Sequence, residues 1–509
     1  MADDERPLLA IARSRVHAST RRGPRNHGLR ALGLLTALSV LQGLSWAPFS
    51  ALPALSAREF GFDDAVLAWQ QNGNNIGQAA AMPVAAWSLA NRPNGLRSNV
   101  RLAAWLQLLQ CLCFSSCVLL RTPATLRWVT IVGSVAGGAC WALTQSGVSL
   151  LSARYFPAES RTKTTAVGYV GTQLGACAGF LWYSAVADTD GLRFALLCQL
   201  GAAAVLCFCC GTLFPPVPPT ALDTLLASPP TNADPGTETS QAPWTQAPLD
   251  VGDEGSAAPR LGFRAGFRLL CSDRSRWRPC ALLALIGALA GAAQHVWVRN
   301  LAVFFARAGD PTDSAAEHAG VHAAADGGGG GGPLSGLTEH DGDLFAFYSM
   351  VAYTAAAPIA AAVVDRHFHK KLKRFIGAAL LLATAINAAL FVLLPSPFTA
   401  GLLPVDVTPS AIRWLVCGAA VTTSAAVGAA LPPVIELMAE VAHPVSESFT
   451  ASGLVLLTQF VDFPAVAVIP ALPRRAGFQY FQLVVLVTLG LCFAMCLAVQ
   501  PRYRRTAAL

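Results

Sequence analysis

The stretch Val66–Ala90, VLAWQQNGNNIGQAAAMPVAAWSLA, is long enough to cross a lipid bilayer as one helix, yet its interior carries Gln70, Gln71, Asn72, Asn74, Asn75 and Gln78. Hydrocarbon offers these amides no hydrogen-bond partner, so the helix must face protein or water. Two readings stay open: the amides knit neighbouring helices together, or they line a wet cavity that holds a solute. Both require a bundle and exclude a single membrane anchor.

Similar spans recur on either side. Of 509 residues, 54% are hydrophobic and only 13% charged, about half the charged share of a soluble domain. The spans predicted from hydropathy are Leu29–Leu52, Val66–Ala90, Asn99–Leu120, Leu126–Ala153, Thr164–Ala187 and Leu192–Phe214, then Cys280–Phe305, Leu344–Val364, Phe375–Leu394, Ile412–Ile435, Phe449–Leu472 and Phe478–Val499. The expected fold is an all-α membrane protein of twelve helices in two six-helix halves, 29–214 and 279–500, flanked by tails 1–28 and 501–509. The linker 215–278 is rich in Pro, Thr, Ser, Asp and Gly and is expected to be largely disordered, ending in an amphipathic stretch, Arg260–Leu270. Asp326–Gly332 is low-complexity and lacks the Lys-Ser/Thr ending of a phosphate-binding loop.

A net charge of +7 raises nucleic acid as a partner, but the basic residues fall in breaks between spans and form no single basic face. They read as topology signals. Arg13–Arg30, Arg92 with Arg97 and Arg101, Arg154 with Arg161 and Lys163, the Arg366–Arg374 cluster and Arg502–Arg505 all fall on one side, so both termini are expected in the cytosol; Arg474 and Arg475 oppose the rule. The basic run leads into a first span with no cleavage site, and that span is expected to be retained. The fourteen cysteines lie mostly within spans, so no extracytosolic disulfide framework is expected. Cys207, Cys209 and Cys210 read as buried or lipid-facing, with palmitoylation as the alternative, and no metal or cofactor is expected.

Several spans carry side chains suited to a binding site. Gly168, Gly171, Gly175 and Gly179 bare one face of the fifth span, with Gln173 among them. In the eleventh span, its counterpart if the halves repeat, Gln459 is followed a turn later by Asp462. Trp46 lies in the first span beside Gln42, Ser45 and Pro48; Gln294, His295 and Trp297 lie at similar depth in the seventh. An indole face attracts a cation or stacks on a flat ring, and the alternative is plain packing. Asp462 and His295 are the candidates for ion coupling, with an Arg299–Asp462 pair as the structural alternative.

These motifs resemble the major facilitators. Gln42-Gly-Leu-Ser-Trp46, Glu59-Phe-Gly-Phe62 and Gly95-Leu-Arg97 resemble the opening of the feline leukaemia virus subgroup C receptor-related family of heme and choline transporters, together with its disrupted in renal carcinoma type relatives. Tyr155-Phe-Pro-Ala-Glu159, Gly171-Thr-Gln-Leu-Gly175 and Glu436-Leu-Met-Ala-Glu440 with Pro444, Glu447, Ser452 and Gly453 extend the likeness. The resemblance implies that Trp46, Gln173 and Gln459 contact substrate. The family's seventh-helix tyrosine is absent near Gln294, where Trp297 is the remaining aromatic, which puts choline itself in question. Where major facilitators carry a gating Asp after the second span, this chain has Asn91-Arg-Pro-Asn-Gly95; the second half keeps Asp365 with Arg366, and Glu436 and Glu440 join them as gating candidates. Asp4, Leu8 and Leu9 have the spacing of an acidic dileucine signal read by sorting adaptors, as in the lysosomal relatives.

The expected function is therefore transport of a small organic solute by a monomeric, multi-pass protein of the plasma membrane or of a lysosomal or endosomal membrane. Choline or ethanolamine, heme or porphyrin, and a pyridoxine-type vitamin are the candidate substrates. A transport-inactive receptor or scaffold of the same fold is the first rival. A membrane enzyme is the second, and no carboxylate, His and Ser constellation at the membrane interface supports it beyond Glu436, Glu440, His443 and Glu447.

Overall fold

Caps and prolines at the ends of the apolar runs delimit twelve long helices among the described residues of the computed structural model. The structure describes residues 26–216, 268–308, 337–368, 371–394, 408–468 and 477–500, apart from single positions 47, 93, 121, 157, 187, 269, 444 and 446 and a few helix side chains. The dileucine residues Asp4, Leu8 and Leu9, nearly all of the linker, the glycine-rich loop and the tail 501–509 lie outside the described residues.

The first half holds α1 (residues 26–44), α2 (Asp64–Asn91), α3 (Gly95–Ser115), α4 (Pro123–Tyr155), α5 (Ala158–Ala185) and α6 (Thr189–Thr212). The second holds α7 (Arg274–Ala308), α8 (Glu339–Val363), α9 (Leu372–Leu393), α10 (Pro409–Ala442), α11 (Glu447–Val468) and α12 (Gly477–Ala498). The helix starts follow their sequence. Asp63 caps α2 by accepting from the Val66 N–H at 2.8 Å, and Asp188 caps α6 in the same way. Thr338 and Asp341 form a capping box at α8, and α4 and α10 begin on Pro123 and Pro409.

Each predicted span is present, with one correction. The first was expected to run unbroken over Leu29–Leu52, but the helix stops after Leu44 and resumes as short helices Pro48–Ala51 and Pro53–Phe60. Pro48 and Pro53 lack an N–H and disfavour helix in the preceding residue, so the chain must turn. Lipid cannot satisfy the carbonyls this frees, and side chains do so instead. The Tyr183 hydroxyl donates to the Leu44 carbonyl at 3.0 Å and accepts from Gln199 Nε2 at 2.6 Å; Gln110 Nε2 donates to the Ser45 carbonyl at 2.9 Å. Gly61, at φ 65°, then ends the second short helix in a left-handed cap before α2.

Helix pairing repeats between halves. The pairs α2 with α4, α3 with α4 and α3 with α6 in the first half recur as α8 with α10, α9 with α10 and α9 with α12 in the second. The tripeptides Leu126-Arg127-Trp128 and Ile412-Arg413-Trp414 start α4 and α10. In each, the arginine ties back to the neighbouring helix entry: Arg127 to the Gly61 carbonyl before α2, and Arg413 to Asp341 at the start of α8. Both tryptophans are exposed at the same end of the bundle, as in an interfacial aromatic belt. The contacts α5 with α8 and α2 with α11, which exchange under this pseudo-two-fold relation, join the halves.

Glycines set the closest approaches. A Cβ on Gly43 would overlap the Thr172 carbonyl, and one on Gly175 that of Val40, so α1 and α5 touch backbone to backbone. In the second half the corresponding pair, α7 and α11, makes a ladder at four-residue spacing. Gly287 meets Leu454, Gly291 meets Thr458, and His295 meets Asp462. Eight of the described helices are long and apolar enough to cross a membrane by composition alone; α1, α2, α5 and α11 are not among them. Those four hold the amide run, Gln173, Gln459 and the helix that ends beside Trp46.

Two substitutions test this scaffold in detergent. Gly175→Val should cost ~3 kcal/mol or more, because a backbone carbonyl cannot rotate away, whereas Gly201→Ala, with open space around its Cβ, should leave the melting temperature unchanged. Tyr183→Phe should cost ~1–3 kcal/mol by stripping the Leu44 carbonyl and Gln199 of a partner, and adding Gln199→Leu should recover part of the loss.

Candidate functional site

The break in α1 delivers Trp46 to the place where the halves meet. Its half-buried indole packs on a cluster of Ala176, Cys177 and Phe180 from α5, Val298 from α7, and Ala346 and Met350 from α8. Both halves therefore build the wall around one aromatic ring.

A second layer follows from helix geometry. One turn from that cluster toward the terminal end of the bundle, on the same helix faces, lie Gln173 on α5, His295 on α7 and Tyr353 on α8. The His295 and Tyr353 rings are 6.2 Å apart. His295 Nδ1 lies 3.8 Å from Asp462 Oδ2 on α11, and Gln459 precedes Asp462 by one turn. The layer beneath the indole thus contains an imidazole, a phenol and a carboxylate, with Gln173 and Gln459 on the α5 and α11 segments that flank it.

Burial differs sharply among these groups. Asp462 is 1% exposed and both its oxygens lack a hydrogen-bond donor among the described residues, whereas the His295 side chain retains 25% of its exposure. Gln459 is 7% exposed and its Oε1 has no partner, and Gln173 is half-buried. The distance between Gln173 and Gln459 along the chain equals that between Arg127 and Arg413, so the two amides hold equivalent positions in the repeat. Gln294 is tied through Nε2 to Ser424 of α10 at 3.1 Å, with its Oε1 unpartnered. Trp297 is 2% exposed inside the core of the second half, so it packs there with its Nε1 unpartnered and does not stand beside Trp46.

The amides of α2 divide between the two readings. Gln70 donates to Thr130 of α4 at 2.8 Å, which is interhelical glue. Gln71 donates to Ser50 at 3.1 Å and, across the halves, to Asn300 of α7 at 3.4 Å. Asn74 Nδ2, Asn75 Oδ1 and Gln78 Oε1 are buried without a partner. Nearby, Trp69 of α2 meets Phe463 of α11 edge to face at 6.2 Å between centroids. These contacts between halves, with the Trp46 cluster, lie toward the end of the bundle remote from the termini, near the start of α2 and the ends of α5 and α11.

The remaining candidates stand apart from this layer, at the terminal end. Arg366 is exposed in the π-helical turn Val364–Phe368 that ends α8; the side chain of Asp365 in that turn lies outside the described residues, as does that of Arg299. Glu436 is exposed and Glu440 buried in the last turns of α10, close to where Arg276 of α7 donates to the His443 carbonyl at 2.9 Å. Cys207 and Cys210 are buried. A groove of about 580 Å³ runs along α1 past Leu29, Gly33, Thr36 and Val40, but its aliphatic lining includes none of the candidate residues and suits acyl chains.

The sequence reading passes over Tyr353, Ser424 and Asn300. Each is a polar residue within an otherwise apolar span, and each acts through a helix distant in sequence.

Comparison with known proteins agrees with this architecture. A crystal structure of a bacterial homolog of the human lysosomal transporter Spinster, inward-facing and unoccupied, is similar at 15% identity and a TM-score of 0.56, covering 94% of this chain and 97% of that one. A D-xylose–proton symporter is similar at 13% identity and a TM-score of 0.59 (94% and 98%), and a POT family transporter in complex with 5-aminolevulinic acid at 15% and 0.57 (92% and 97%). At such identities the likeness is one of fold. No curated protein sequence matches the chain. The family model described as Major Facilitator Superfamily matches residues 34–338, more than half of the sequence, and the chain belongs to that superfamily.

Proposed function

We propose that the protein carries a small organic cation across a membrane by alternating access, its halves rocking about the layer that holds Trp46, Gln173, Gln459, His295 and Tyr353. The observation that supports this reading most directly is the placement of Trp46, held at the meeting of α5, α7 and α8 by a helix break, with polar groups of both halves one turn below it. An indole face over a cation is worth roughly 0.5–2 kcal/mol, and neutral amides orient the ligand without requiring a counter-charge.

Choline and ethanolamine belong to this substrate class, and a pyridoxine-type vitamin, without a net charge, would instead stack its flat ring on the indole. Heme or another porphyrin is less favoured, because His295, the imidazole at this depth, faces Asp462. On this reading the structure is closed at the end remote from the termini by Trp69–Phe463, Gln71–Asn300 and the Trp46 cluster, and substrate enters from the terminal side. With both termini in the cytosol that side is cytosolic; Asp365, Arg366, Glu436 and Glu440 would gate it, and Asp4, Leu8 and Leu9 would direct the protein to a lysosomal or endosomal membrane.

Uptake of labelled choline, ethanolamine and pyridoxine into sealed vesicles containing the purified protein tests the reading. The wild type should move at least one of them, and Gln173→Ala with Gln459→Ala, or Trp46→Ala alone, should lower the rate at least tenfold with the melting temperature preserved. Unchanged flux in these variants contradicts the site, and absence of flux in the wild type favours a receptor or scaffold.

A further inference from the structure

The α7–α11 ladder contains an anomaly. Its first two rungs are small or apolar, Gly287 with Leu454 and Gly291 with Thr458, as tight helix packing requires. The third is His295 with Asp462, a carboxylate 1% exposed within α11. A buried carboxylate normally accepts several hydrogen bonds, yet neither oxygen of Asp462 receives one from the described residues. At 3.8 Å the His295 contact is too long for a hydrogen bond, although the two groups sit at charge-pairing distance. Such a group is costly to keep at bilayer depth, and packing does not require it, because the neighbouring rungs manage without one. The unpartnered Gln459 Oε1, on the same face one turn earlier, adds a second acceptor without a donor. Two unpartnered acceptors, one of them anionic, with an imidazole standing off at the exposed side, describe a place that lacks a cation.

We infer that Asp462 is the anionic anchor for the ammonium group of the transported solute, with Gln459 Oε1 as its second acceptor, and that His295 is a resident surrogate which faces the carboxylate when no solute is bound. This deepens the organic-cation reading above and rests on it. The ligand class follows from the unpaired acceptors: an ammonium small enough to lie between Asp462 and the indole of Trp46, which sits one helical turn of α7 away through Val298. A primary ammonium meets the carboxylate through N–H donors, and a quaternary one, having none, through its charge alone. His295 moves aside without unfolding anything, since its side chain keeps a quarter of its exposure while Asp462 is enclosed.

The test is equilibrium binding, by calorimetry and thermal shift in nanodiscs, of choline and of its uncharged isostere 3,3-dimethylbutan-1-ol. The wild type should prefer choline at least tenfold. Asp462→Asn should abolish that preference while leaving affinity for the alcohol within about twofold, and His295→Gln, which retains the carboxylate, should tighten choline at least threefold. If Asp462→Asn fails to fold, the His295→Gln result decides alone. A preference that survives Asp462→Asn, or choline affinity unchanged or weakened in His295→Gln, overturns the assignment of Asp462 and leaves the carrier reading standing. Equal wild-type affinity for the two probes also overturns the anchor, whereas binding of neither probe, with ethanolamine likewise unbound, overturns the organic-cation reading itself.

Discussion

Lipid offers nothing to a bare carbonyl, and this constraint governs the break in α1 on which the rest of the site depends. Pro48 and Pro53 force the first helix to stop, and the stop is tolerated because Tyr183 and Gln110 take up the carbonyls of Leu44 and Ser45. A continuous helix would have carried Trp46 round the α1 surface in register with its neighbours. The break instead sets the indole against α5, α7 and α8, so that one side chain of the first half closes the space above polar groups of both halves. The glycine contacts of α1 with α5 lock the rest of the helix and confine the irregularity to its end.

Rocking of two halves needs rigid halves and a weak joint, and the contacts divide accordingly. Within halves, backbones touch at glycines, and a buried knot of Asn387, Thr423 and Gln482 ties α9, α10 and α12 at 2.7 and 2.8 Å. Between halves, the described polar link is a long amide contact, Gln71 to Asn300 at 3.4 Å, supported by one edge-to-face aromatic pair and the small apolar cluster around Trp46. The hydrogen bond and the aromatic pair are each worth ~1 kcal/mol, and the rest of the joint is mainly the helix packing of α5 on α8 and α2 on α11.

Much of this was legible in the sequence, and the limits have physical causes. The apolar runs mark the twelve long helices among the described residues because a bilayer imposes length and apolarity on each span separately, a local property, although α1, α2, α5 and α11 fall short of it in length or composition. The break in α1 was not read, although Pro48 stood in view, because an apolar run looks continuous whatever its backbone does. The amide run of α2 signals in the sequence that this helix faces protein or water, and it is buried, but its division into glue at Gln70, a bridge at Gln71 and unpartnered groups further along depends on which helices pack there. Tyr353 and Ser424 escaped for the same reason. The repeat Leu126-Arg127-Trp128 and Ile412-Arg413-Trp414 was available in the sequence and would have fixed the register between halves, including the equivalence of Gln173 and Gln459.

The central claim is that the halves move against each other about this layer, opening one end as the other closes. Distances between spin labels measure it directly, with one pair at exposed Asp190 and Ser410 on the remote end and another at exposed Asn94 and Lys371 on the terminal end, in a background freed of reactive cysteine. On adding a transported solute, the remote pair should lengthen while the terminal pair shortens. Two distance distributions that stay fixed, or that change in the same direction, would contradict the account.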